Sequence, residues 1–212
     1  MRMRWRARDD RRTTTAADLS FQYDRMGRSG VIDQTLAIRN AGPSAVVLRL
    51  KVVPLDAHGR EVSGLTTTSA YGTEIGNHVI PAAFTDIDVL AFHGPGFRDV
   101  ADVRVQVEAV DSVSFPAKIR DVVLTERIDA WGDVVSGGVY EQVRLTNRSR
   151  DAVAVRVALI EYEDPPPGAS QQAVDVQQLG GLVSVPGKGT TTIPGPTRFP
   201  DAFVSVKAYF AR

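Results

Sequence analysis

The sequence predicts an all-β protein in which two tandem antiparallel β-sandwiches follow an extended N-terminal arm. Three observations predict this fold class: polar and apolar residues alternate with a period of two, turn-forming clusters separate the alternating runs, and the second half of the chain repeats the first. The 212 residues suit two sandwiches of roughly 100 residues each. Because the chain has no cysteine, no disulfide bond holds this fold together.

Each alternating run places its apolar residues on one face of a strand, because successive side chains point to opposite faces. The clearest run in the first half spans residues 46–52, and a similar run spans residues 153–159. The residues that we expect to face the two cores are Leu36, Ile38, Leu48, Leu50, Val52, Val105 and Val107, followed by Val143, Leu145, Val155, Val157, Leu159, Val204 and Val206.

Turn-forming residues interrupt these runs at the intervals expected for short strands. The clusters, rich in glycine, proline and asparagine, occupy residues 40–44, 56–59, 93–96, 147–151, 186–189 and 194–196. Two longer loops are also predicted, at 66–78 and 163–178. Three consecutive prolines stiffen the second loop, which suits either a contact surface or a tolerated insertion.

An ordered internal repeat divides the chain. At an offset of 107 residues Asn40 matches Asn147 and the strands that follow them match; further on, Val105 is matched with Val204. The same order over four segments predicts two domains of like topology, because strands persist while loops vary. The predicted division is a basic arm at 1–16, a first sandwich at 17–115 and a second sandwich at 116–212, joined by a short linker that favours a semi-rigid pair.

The turn motifs resemble those of bacterial immunoglobulin-like domains of the FxLYD type. The resemblance rests on the strand that ends at Asn40, the hairpin at 55–60 and the Pro-Gly-Lys turn at 186–188. It covers most of both copies, with departures at 81–83 and 163–168. It implies that both sandwiches are immunoglobulin-like, and it implies almost nothing about a ligand, since that fold serves many tasks.

The N-terminal arm is the segment most indicative of function. Residues 1–16 contain six arginines and two aspartates, a net charge of +4, whereas the rest of the chain carries −4. Arginine alternates with apolar residues, so an extended arm has a cationic face and an apolar face. The partner-binding residues that this pattern predicts are Arg2, Arg4, Trp5, Arg6, Arg8, Arg11 and Arg12. Such a strip suits addition to the sheet edge of a neighbouring subunit, or contact with phosphates.

No constellation for catalysis, cofactor binding or metal binding emerges from the sequence. It lacks a nucleophile-elbow motif and a glycine-rich phosphate loop, so we expect no enzyme and no small-molecule substrate. The three histidines, His58, His78 and His93, are expected in loops, exposed or partly buried. Asp86 and Asp88 are interpreted as solvated carboxylates on a strand face rather than calcium ligands.

These observations favour a non-enzymatic structural or interaction subunit of a larger assembly, most readily a bacteriophage virion protein of the capsid or tail. Its expected partners are protein subunits of the same or a neighbouring type, with nucleic acid only through the arm and no membrane. No secretory signal is evident, which favours a virion or cytoplasmic assembly. The alternative is an immunoglobulin-like binding module, either secreted or of the bacterial cell envelope, that lacks its leader.

Overall fold

A computed structural model describes residues 13–25, 33–119, 121–164, 172–196 and 204–212 of the chain. These residues form fourteen strands that pair antiparallel throughout. Three short 3₁₀ turns lie at Ala16–Asp18, Thr73–Ile75 and Phe97–Asp99. The predicted all-β class is confirmed, and the sheets are arranged as tandem sandwiches. Over the same ranges, no helix is long and apolar enough to cross a membrane.

The first half of the chain folds into two sheets packed around one apolar core. Its strands are β1 (Leu19–Asp24), β2 (Thr35–Asn40), β3 (Ala45–Leu55), β4 (Thr66–Ser69), β5 (Val79–Ile80), β6 (Phe84–His93) and β7 (Asp102–Val113). One sheet has the order β1-β2-β6-β4 and the other has the order β5-β3-β7. Side chains from both sheets meet in the core between them.

The second half has the same arrangement of its inner strands, with one outer strand placed at the opposite end of its sheet. Its strands are β8 (Leu124–Ile128), β9 (Val134–Val135), β10 (Gln142–Thr146), β11 (Val153–Tyr162), β12 (Ala173–Val185), β13 (Thr190–Pro194) and β14 (Val204–Phe210). The sheets have the orders β13-β10-β8-β9 and β12-β11-β14. The predicted loop at 163–178 is wrong at its end, because residues 173–178 belong to β12. The finer immunoglobulin-like assignment stays a prediction.

A buried asparagine marks the same place in both halves. Asn40 ends β2 and Asn147 follows β10, and both side chains are almost fully buried. Each amide donates to the carbonyl four residues further on, at 2.9 Å, and to a second carbonyl, that of Ile80 (3.2 Å) or Val185 (3.3 Å). Each side-chain oxygen accepts the N–H two residues further on, at 2.9 Å. The two asparagines therefore fix the turn into the next strand in the same way.

The last strands of the two halves match, but not in the predicted register. Val52 of β3 pairs with Val105, and at the offset of 107 residues the matching Leu159 of β11 pairs with Val206. The predicted match of Val105 with Val204 is therefore wrong by two residues. Up to Val107, where the pairing of β7 with β3 becomes irregular, a shift of two residues leaves the side chains on their expected faces, because the period of a strand is two.

Most of the predicted core residues are fully buried. The exceptions are half-buried but still pack against the cores: Val52, Val105, Val107 and Val204. Two of them lie on β7, an edge strand with a neighbour on one side only. Their exposure reflects this edge position rather than a wrong face.

The two halves share buried surface rather than meeting only at their linker. Ala45, Val47 and Val79 of the first half pack within the core of the second. Tyr71 stacks on Tyr209 with ring centroids 4.4 Å apart. Apolar side chains from both halves thus interlock, which opposes free movement of one sandwich relative to the other.

Candidate functional site

The predicted partner-binding residues Arg2, Arg4, Trp5, Arg6, Arg8, Arg11 and Arg12 all lie outside the described residues. The structure does describe the place where the arm joins the body. Thr14 is buried, its N–H donates to Ser44 Oγ (3.0 Å), and its hydroxyl donates to the Ser44 carbonyl (2.9 Å). The hydroxyls of Ser44 and Ser112 share a hydrogen bond of 3.3 Å. The arm therefore joins the first sandwich beside the C-terminal end of β7.

The outer edge of β7 presents backbone groups with no strand beside them. Among the described strands, β3 alone pairs with β7. The carbonyl of Pro54 on β3 accepts the N–H of Val62 (3.0 Å), so this carbonyl points away from β7. Pro54 lies opposite Val103 of β7, and these two residues therefore form a non-hydrogen-bonded pair. Since backbone direction alternates along a strand, the N–H and C=O groups of Val103, Val105 and Val107 point outward. We call these outward groups the open edge.

The side chains beside the open edge form a partly uncovered apolar surface. The three valines of the open edge point toward the core but are only half-buried. Across the sandwich β1 is also an edge strand, and its Leu19, Phe21 and Tyr23 are half-buried against the same core. An added strand with an apolar face would cover both rows, and burial contributes about 25 cal/mol per Å² of apolar surface.

The matching edge of the second half is capped by side chains. Thr125 Oγ1 donates to the carbonyl of Val206 at 2.9 Å, and Arg127 Nη2 donates to the carbonyl of Val204. Both donors come from β8, which pairs with β10 as β1 pairs with β2. In the pairing with the neighbouring strand, Phe21 occupies the position that corresponds to Thr125. A phenyl ring has no O–H or N–H group to donate in a hydrogen bond. The cap on β14 therefore cannot form in the same way over Val105.

Acidic residues predominate on the solvent face of β7. Asp102, Glu108 and Asp111 are exposed there, together with a single basic residue of this strand, Arg104; Arg212 Nη2 lies 3.7 Å from Asp111 Oδ2, with both side chains exposed. Two exposed basic residues of β3 lie on the same face but one strand further from the open edge. A strand added at the edge would have the acidic row as its nearest neighbour, about 4.8 Å away.

A second cluster of polar residues is buried between the halves. The Asp88 carboxylate accepts the N–H groups of Tyr71 (2.9 Å) and Val89 (2.8 Å) and the hydroxyl of Thr73. The interpretation of Asp86 and Asp88 as solvated carboxylates is therefore wrong for Asp88, which is fully buried. The reason is that residues 70–78 fold over the strand face on which it lies, and its carboxylate satisfies their backbone donors.

His78 belongs to the same cluster, and its expected partial exposure is wrong. It is fully buried, with Nε2 2.9 Å from Asp86 Oδ2 and Nδ1 3.2 Å from Thr73 Oγ1. Its ring meets the edges of Tyr71 and Tyr209. Burial raises the pKa of both tyrosines. These contacts join the two halves. Because the cluster is buried, it suits a structural role.

An open cleft of about 910 Å³ lies at the hairpin between β3 and β4. Two of its charged side chains pair with each other: Arg60 bonds Asp56 (2.8 Å), and hydrogen bonds from Arg60 lower the pKa of Asp56 to about 2. His58 is exposed in the hairpin, as expected for a loop histidine; His93 is also exposed, but its predicted place in a loop is wrong, because it ends β6 and pairs with Thr66. No group of three or more histidine, aspartate or glutamate residues in the described ranges is placed to hold a metal ion.

Comparison with models of known families, with curated proteins and with solved structures gives no match. The interpretation of the site therefore depends on its geometry.

Proposed function

We propose that this protein is a non-enzymatic structural subunit that assembles by accepting a protein strand at the open edge. The observation that carries the proposal is the contrast between the two halves: the β14 edge is capped by Thr125 and Arg127, whereas the matching β7 edge has outward backbone groups and, within the described ranges, no strand beside them. Unpaired strand edges bind further strands through main-chain hydrogen bonds, and apolar pockets then select the sequence.

The setting that we propose is a bacteriophage virion, in the capsid or tail, with subunits of the same or a neighbouring type as partners. Support comes from the interlocked sandwiches, which make a stiff building block, and from the separation of charge between the arm (+4) and the body (−4). Opposite charges on two parts of one chain favour contacts between copies and speed their encounter.

Native mass spectrometry of the full chain tests the proposal. Val105→Pro removes an outward N–H while keeping an apolar side chain, so the pairing with β3 retains its hydrogen bonds. Val206→Pro makes the same change on the capped edge and is the matched control. We expect the full chain and the control to form oligomers and Val105→Pro to be monomeric. A full chain that is monomeric at micromolar concentration would contradict self-assembly through this edge.

A binding module of the cell envelope is a second candidate, favoured by Trp131. Its side chain is 86% exposed on a tight turn, where the Asp129 carboxylate accepts the N–H groups of Trp131 (3.0 Å) and Asp133 (2.9 Å). An exposed indole on a fixed turn suits stacking on a ligand. Trp5→Phe leaves Trp131 as the sole tryptophan. Peptidoglycan fragments should then quench its fluorescence; unchanged emission would count against this candidate.

A further inference from the structure

The occupant of the open edge follows from where the arm joins the body. This inference rests on the proposed function. Thr14 is fixed to Ser44, and Ser44 bonds Ser112 near the C-terminal end of β7. Thr14, to which residues 1–12 are linked through residue 13, therefore lies at one end of the open edge. Fully extended, residues 1–12 reach about 40 Å, which matches the length of the 12-residue β7.

The direction of the strand separates the chain's own arm from the arm of another copy. An arm that lay along its own β7 would have residue 12 near Ser112 and its first residues near Asp102, so the two strands would be parallel. Antiparallel pairing within one chain would require the link from residue 12 to Thr14 to span the length of β7, which two residues cannot do. Antiparallel pairs are somewhat more stable per residue, and every strand pair described in the fold is antiparallel.

We infer that residues 1–12 of a second copy of this chain add to β7 as an antiparallel strand. The sequence of the arm suits both faces of the site. With Trp5 turned toward the half-buried valines and β1, the arginines at positions 2, 4, 6 and 8 lie on the solvent face. There they meet the row of β7 that contains Asp102, Glu108 and Asp111, and opposite charges on neighbouring strands stabilise the pair.

Exchange of arms between two copies closes the assembly. When the β7 edges of two copies face each other and run in opposite directions, each arm leaves its own copy at one end of the shared interface. It then pairs with β7 of the other copy as an antiparallel strand. Both open edges are then occupied by the same contact, which is a two-fold symmetric arrangement. A dimer is therefore the expected assembly.

Binding of a fluorescent peptide of residues 1–12 to protein that lacks residues 1–12 tests the site. A peptide of the same composition in scrambled order is the control for charge alone. We expect the native peptide to bind at least tenfold more tightly than the scrambled one. Val105→Pro should weaken its binding at least tenfold, while Val206→Pro should leave it unchanged. A Trp5→Ala peptide, which leaves the protein unaltered, should also bind at least tenfold more weakly.

Equal binding of native and scrambled peptides, or no binding of either, would overturn the inference. So would native binding that Val105→Pro leaves unchanged. Native mass spectrometry separates the two sources of the arm: we expect the full chain to be dimeric and the truncated protein monomeric. A monomeric full chain whose outward β7 amides are protected from exchange would assign the edge to its own arm. If the peptide fails but Val105→Pro still abolishes assembly, the occupant is wrong and the proposed function stands.

Discussion

The two halves of the chain share one frame and differ at two important places, besides the position of the outer strands β4 and β9. Asn40 and Asn147 make matching hydrogen bonds, and the other strands have matching orders, although β4 lies beside β6 and β9 lies beside β8. The first difference lies on β6 and β13, where Asp88 occupies the position of Ile193. An apolar side chain completes the core of the second half, whereas the carboxylate of Asp88 holds the 70–78 segment that contacts the other sandwich. The same strand position thus completes the core in the second half and supports the contact between the sandwiches in the first.

The second difference lies at the edges. Thr125 and Arg127 cap the carbonyls of β14, whereas the matching edge of β7 has Phe21 opposite it. Edge strands that are capped do not recruit further strands. The comparison therefore teaches that two sandwiches of like topology can differ at the matching edge, which is capped by side chains in one and left open in the other.

Replacing Asp88 should have the largest effect on stability. Asp88→Ala leaves the N–H groups of Tyr71 and Val89 buried without an acceptor, and each such group costs about 1–3 kcal/mol. We expect a loss of about 2–5 kcal/mol in urea unfolding. Ile193→Val at the matched position should cost about 0.5–1.5 kcal/mol. Equal losses of unfolding free energy at the two positions would contradict the different roles assigned to Asp88 and Ile193.

The two asparagines should be nearly equivalent. Asn40→Ala and Asn147→Ala each leave buried backbone groups unsatisfied, with an expected loss of about 2–3 kcal/mol in the same assay. Asn40 also donates to the Pro81 carbonyl (3.1 Å), so its loss should be the greater by a small margin. A loss at one position alone would show that the halves do not share this turn.

Ionisation of Tyr71 in the unfolded chain should lower the free energy of unfolding above pH 10. Burial raises the pKa of Tyr71, whereas an unfolded tyrosine titrates near pH 10. Below that pH the Tyr71 hydroxyl is protonated in both the folded and the unfolded chain, so its full contribution to the free energy of unfolding is present. As the pH rises further the unfolded chain ionises and the folded chain does not, so stability falls by at most about 1.4 kcal/mol per pH unit. Tyr71→Phe should flatten the decline between pH 10 and 11; an unchanged slope would contradict burial.

The smallest effect is expected at the turns that follow Ile80 and Val185. Ala83 and Lys188 both have positive φ, 55° and 54°, which side chains other than glycine rarely adopt. Ala83→Gly should stabilise by about 0.5–1 kcal/mol. Lys188→Gly should gain less, because Lys188 Nζ donates to the Arg148 carbonyl. Destabilisation by Ala83→Gly in thermal unfolding would show that the turn is not strained.

Much of the fold could be predicted from the sequence, because a period of two depends only on local geometry. The alternation at 46–52 and 153–159 placed the strands and their buried faces correctly. The burial of Asp88 and His78 could not be predicted, since it depends on residues 70–78 folding back and on Tyr209 from the other half. The open edge was also missed. Its sequence signal is the exchange of Thr125 for Phe21 and of Arg127 for Tyr23 in the repeat, which acquires meaning once the register is known.

Amide hydrogen exchange at β7 tests the central claim most directly. In protein lacking residues 1–12, we expect the amides of Val103, Val105 and Val107 to exchange rapidly, while those of Arg104 and Gln106, which face β3, exchange slowly. In the assembled full chain, the three outward amides should become protected at least tenfold. Protection of all five amides in the truncated monomer would contradict the claim that this edge is open.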